Sequence, residues 1–93
     1  MEEERKVASW FLKPCSDGIS IDVRPPKRYQ IDLKSLNLEG FRAEIVSSSI
    51  AILYSSNNIK ITIYQSGRML IETRDMDVAE AIFNEILNYF NLI

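Results

Sequence analysis

The chain has 93 residues, 46% of them hydrophobic and 26% charged, with a formal net charge of −2. That length suits one domain with a modest core, and the composition is globular rather than disordered. One cysteine and no histidine exclude an internal disulfide, zinc sites of the common Cys/His type, and the Ser-His-Asp and Cys-His catalytic pairings.

The acidic start, Met1-Glu2-Glu3-Glu4, differs from the basic opening of a secretory signal. No apolar run approaches the roughly 18 residues of a membrane span. A cytoplasmic protein with no membrane contact is therefore expected. The acidic total charge confines any nucleic-acid role to a local basic patch.

In chain order, residues 1–18 read as an N-terminal extension of a single domain covering 1–93. Within it, Val7, Trp10 and Phe11 stand at helical spacing in a Glu-rich stretch, which favours a helix over 1–12. The alternative is a strand at 7–12 that turns at Ser16-Asp17-Gly18. Residues 19–24 read as a strand with Ile19, Ile21 and Val23 inward, ended by Pro25-Pro26 because proline cannot donate to a ladder. Asp32-Leu33-Lys34-Ser35-Leu36 suggests a short helix before Gly40.

Residues 42–47 and 49–54 read as two strands separated by serines, the second of them central. Residues 58–64 alternate, with Ile59, Ile61 and Ile63 on one side and Lys60, Thr62 and Tyr64 on the other. β-branched residues at period two mark a half-buried strand. Gln65-Ser66-Gly67 is a turn, with Gly67 suited to positive φ. Residues 68–73 return with Met69 and Ile71 inward. Asp77-Val78-Ala79-Glu80 has capping-box spacing, so a helix is expected over 78–90. Val78, Ala79, Ile82, Phe83, Ile86, Leu87 and Phe90 form its apolar side. The whole predicts an α+β two-layer sandwich: residues 19–92 supply an antiparallel sheet of about five strands with helices on one face.

This order resembles one repeat of the TATA-box-binding-protein fold. The residues that carry the resemblance are Ile61-Thr62-Ile63-Tyr64-Gln65-Ser66-Gly67-Arg68-Met69-Leu70 and the acidic-capped helix after them. Tyr64 falls at the family's aromatic position and Arg68 at its lysine position. Ile31-Asp32-Leu33 is similar to the segment that opens the family's first helix. The chain also looks like small archaeal domains of the same broad fold. The resemblance implies the fold and an anionic partner. It does not imply DNA bending, since there is one repeat where the family's saddle needs two. Glu72 and Thr73 also depart from the family's threonine and glycine.

Arg24-Pro25-Pro26-Lys27-Arg28 places three cations in five residues, with Lys34 nearby. Such a loop suits phosphates, and Tyr29 suits stacking on a base; an ordinary solvated loop has the same composition. Lys60, Thr62, Tyr64 and Arg68 should share the open sheet face, a mixture that nucleic-acid-binding sheets use and that ordinary polar faces also show. The candidate site for nucleic acid or another polyanion is therefore Arg24, Lys27, Arg28, Lys34, Tyr64 and Arg68. Cys15 beside Lys13 is either a stabilised thiolate or, without a general base, an incidental cysteine. Asp75, Asp77 and Glu80 lack EF-hand spacing and read as charges at a helix N-terminus. The broad apolar helix face suggests a homodimer or another protein partner, with Trp10, Phe11, Phe90, Leu92 and Ile93 as candidate contacts. No catalytic pair, metal site or cofactor is expected.

Overall fold

A computed structural model describes residues 4–92. The described chain begins with a hairpin, β1 (Arg5–Val7) and β2 (Trp10–Pro14). This overturns the expected helix over 1–12, of which residues 1–3 lie outside the described residues. Helical spacing and period two compete here. Trp10 and Leu12 are buried while Phe11 and Lys13 are exposed, so the alternation of a one-sided strand prevails. Val7 pairs with Trp10 across Ala8 and Ser9, whose φ values are 50° and 72°. Two positive φ angles in a two-residue loop mark a type I′ turn.

Next, β3 (Ile21–Arg24) pairs antiparallel with β2. Ile19 was expected inward but is 48% exposed. Asp17 Oδ1 accepts hydrogen bonds from the backbone N–H groups of Ile19 and Ser20. That turn holds Ile19 outside the strand. Residues 25–41 contain no helix, contrary to the expectation for 32–36. Asp32 instead accepts from the Lys34 N–H and the Ser35 hydroxyl, a local pattern that competes with helix. Ile31, Leu33 and Leu36 are buried. The Tyr89 hydroxyl accepts from the Asn37 N–H and donates to the Ser35 carbonyl, securing this segment to the helix that follows.

The remaining strands form a meander: β4 (Arg42–Ile45), β5 (Ile50–Tyr54), β6 (Lys60–Tyr64) and β7 (Met69–Ile71). The sheet order is β1-β2-β3-β7-β6-β5-β4, all antiparallel. The described sheet has seven strands rather than about five, because the N-terminal hairpin extends it by two. β5 is paired on both sides, whereas β4 is an edge strand with every residue exposed.

One helix, α1 (Met76–Phe90), covers one face. Its N-cap is Asp75, whose carboxylate accepts from the N–H groups of Asp77 and Val78. The cap thus lies two residues before the expected Asp77. Asp77 and Glu80 instead bind Arg5 Nη1, both at 2.8 Å, joining edge strand β1 to the first turns of α1.

The core is one cluster. Trp10, Leu12, Ile21, Val23, Ala51, Leu53, Ile61, Ile63, Met69 and Ile71 come from the sheet, and Ala79, Ile82, Phe83, Ile86 and Leu87 from α1. Alternation then turns Lys60, Thr62, Tyr64 and Leu70 to the opposite, open face. No helix among the described residues is long and apolar enough to cross a membrane.

Candidate anion-binding surface

Asp22 lies between the core residues Ile21 and Val23 on β3, so it faces the open side. Its register partners are Lys13 on β2 and Leu70 on β7. The Asp22 side chain is only 12% exposed, and a carboxylate that shielded needs partners. Two arginines supply them. Arg24 Nε donates to Oδ2 at 2.8 Å, and Arg68 Nε donates to Oδ1 at 3.2 Å. Donation to the Asp22 carboxylate, with its negative charge, raises the Arg24 guanidinium above its ordinary pKa. Each arginine uses its Nε, and both side chains are more than half exposed. Their Nη groups therefore remain as donors for another acceptor.

Pro25 and Pro26 end β3, and the basic loop then runs past the β6–β7 turn. The loop is fixed by the N–H groups of Tyr29 and Ile31, which donate to the carbonyls of Ser66 and Gln65, both at 2.9 Å. The Tyr29 ring stacks on Trp10, and Lys27 Nζ lies 5.2 Å from the Tyr29 ring centre. Docking the loop on the β6–β7 turn brings Arg68 to the other cations. Arg24, Pro25, Lys27, Arg28, Ser66 and Arg68 line one depression of about 420 Å³.

Lys34 does not join them. It borders a separate depression of about 290 Å³ with Ile31, Ser48 and Gln65. Tyr64 lines a third depression, of about 550 Å³, together with Arg28, Tyr29, Gln30, Ser49, Gln65 and Ser66. On the open face, Lys60 lies 4.0 Å from Glu72.

The apolar contact candidates form no single patch. Trp10 is buried against Phe83 and Tyr29 and belongs to the core. Phe11 is 43% exposed on the open face, with Lys6 Nζ 5.8 Å from its ring centre. Phe90 and Leu92 are half-buried on the helix side and border a groove with Tyr29, Ile31 and Tyr89. Ile93 lies outside the described residues.

Cys15 is half-buried in the β2–β3 turn. Burial pushes its thiol above the ordinary value, and Asp22 and Asp17 add to the shift. A thiolate stabilised by Lys13 is not what the geometry provides. Among the described residues, no group of three or more Cys, Asp or Glu side chains is placed to hold a metal ion.

Three features escaped the sequence reading. The pairing of Asp22 with Arg24 had a signal, since residues two apart on a strand share a face. The addition of Arg68 had none. Ile50 and Ile52 also lie on the open face, where polar residues were expected. Comparison with known protein families, curated proteins and solved structures finds no match to this chain.

Proposed function

We propose that the chain is a small, non-catalytic binding module that takes phosphate groups of a nucleic acid, or of another polyanion, in the basic depression. The observation that carries this reading is the gathering of Arg24, Lys27, Arg28 and Arg68 around one concavity in a protein whose net charge is −2. Such clustering against the overall charge concentrates positive potential where an anion fits. Asp22 offsets part of that charge, but it also orients two guanidiniums. The order of β3, four-strand meander and α1 supports a TATA-box-binding-protein-like repeat as the framework, with the family's first helix replaced by the irregular segment 25–41. The likeness is used for the framework alone, because Glu72 and Glu44 stand on the open face.

The test is titration of labelled DNA, RNA and heparin across a range of salt. Affinity should fall steeply with salt, with a log–log slope approaching about −3 if all four cations contact a single strand. Replacing Arg28 and Lys27 with alanine should flatten the slope. Absence of binding to all three polyanions at low salt would remove the proposal.

A second reading, a self-association or protein-interaction module, draws on Phe11, Ile50, Ile52 and Leu70, which occupy the face that α1 does not cover. Sedimentation at high concentration tests the homo-oligomer form. A strict monomer would restrict this reading to a different protein partner.

A further inference from the structure

We infer that the ligand is single-stranded nucleic acid, with a phosphate in the basic depression and one unstacked base in the depression beside it. This rests on the polyanion reading above and narrows it. The two depressions share Arg28 and Ser66 as a common rim. A ligand spanning that rim meets cations on one side and a different chemistry on the other. Beyond Arg28, the larger depression is lined by neutral side chains: Tyr64, Gln30, Gln65, Ser49 and Tyr29. An anion there could take hydrogen bonds from these groups, but beyond Arg28 it would meet no cation, whereas a base can use their donors, acceptors and rings together.

Their chemistry suits a base. Each glutamine amide offers donors and an acceptor, the pattern that a base edge complements. Tyr29 already stacks on Trp10 at 5.5 Å. Tyr64 makes no ring stack or cation contact among the described residues and is half-buried on the open face, which leaves it as the stacking platform. A volume of about 550 Å³ lies within the range of about 300–1,000 Å³ typical of small-ligand sites. The lining is also held before any ligand arrives. The Gln65 N–H donates to the Ser49 carbonyl, and the Tyr29 and Ile31 N–H groups donate to Ser66 and Gln65, all at 2.9 Å. In a duplex, the bases are stacked and paired, so this depression would stay empty. In a single strand, a base can be splayed onto an aromatic ring.

The experiment compares four fluorescent or competing probes at low salt: a short oligothymidine, an abasic oligonucleotide of equal length, a duplex of equal length, and polyphosphate. The oligothymidine should bind at least about fivefold tighter than the abasic strand, the lower end of a single base–aromatic stack. Tyr64→Ala should abolish that difference by bringing the oligothymidine down to the affinity of the abasic strand. Gln30→Ala, at an exposed position, should weaken oligothymidine binding without lowering the melting temperature. Equal binding of abasic and base-bearing strands overturns the inference and leaves the polyanion reading intact. So does tighter binding of the duplex, or an equal loss of both strands in Tyr64→Ala. Failure of every probe to bind overturns both.

Discussion

The indole of Trp10 and the ring of Tyr29 lie parallel, 8° apart, with centroids separated by 5.5 Å. Trp10 is buried on the core face and also meets Phe83 of α1 at 5.2 Å. Tyr29 belongs to the basic loop. One stack therefore connects the helix, the sheet and the loop that carries Lys27 and Arg28. Tyr29→Ala should cost about 1–3 kcal/mol, from lost ring burial and lost stacking. Trp10 is the single tryptophan, so urea unfolding followed by its fluorescence reads the loss directly. The folded-state emission should also shift to the red as water reaches the indole. An unchanged spectrum would mean that the loop does not shield Trp10.

Gly67 closes the same junction from the β6–β7 turn. Its φ is +103°, and a Cβ there would lie 3.0 Å from Tyr29 Cδ2 and 3.3 Å from Trp10 Cη2. Gly67→Ala should therefore cost more than about 1 kcal/mol, through backbone strain and crowding together. Gly18 is the control. Its φ is +75°, but nothing lies within 4 Å of its added Cβ. Gly18→Ala should cost less, and equal melting-point losses would show that the contact with Tyr29 is not tight.

The Ala8-Ser9 turn is strained, with neither residue suited to positive φ. Replacing the pair by Asn-Gly (Ala8→Asn, Ser9→Gly) matches side chains to backbone and should stabilise the protein by about 1 kcal/mol. Thermal unfolding measures this. A lower melting temperature would contradict the hairpin geometry.

Ile61 and Thr62 are adjacent on β6 but face opposite sides. Ile61 is fully buried, and Ile61→Ala should cost about 2–5 kcal/mol by leaving a cavity. Thr62→Ala should stay within about 0.5 kcal/mol. Denaturant midpoints of the two variants decide it. Equal losses would mean that the open face is covered in an assembly.

Cys15 should react slowly with iodoacetamide near neutral pH. Its thiol pKa is raised by burial and by the neighbouring carboxylates, so the nucleophilic thiolate forms only at more alkaline pH than for a free cysteine. The alkylation rate profile should shift to higher pH in the native protein and return to the ordinary range in denaturant. Faster reaction than a free thiol at neutral pH would reverse the reading.

Ile61 and Ile63 against Thr62 and Tyr64, the turn at Gly67, and the apolar stripe of α1 were legible in the sequence. In each, the signal lies between residues a few positions apart, and burial on one face enforces it. The N-terminal hairpin was not legible, since two periodicities overlap there and Ala8-Ser9 carries no turn chemistry. The site followed the same division. Arg24, Lys27 and Arg28 are clustered in the chain itself, and period two already turns Arg68 to the open face, but Lys34, close in the chain, lies outside the depression. Arg68 reaches Asp22 across 46 residues. The cause is that the chain leaves β3 for the far edge of the sheet and returns strand by strand until β7 lies beside β3. Alternation is a property of chain neighbours and can be read along the sequence. Which cations share one concavity depends on that long-range strand pairing, which only the folded sheet decides.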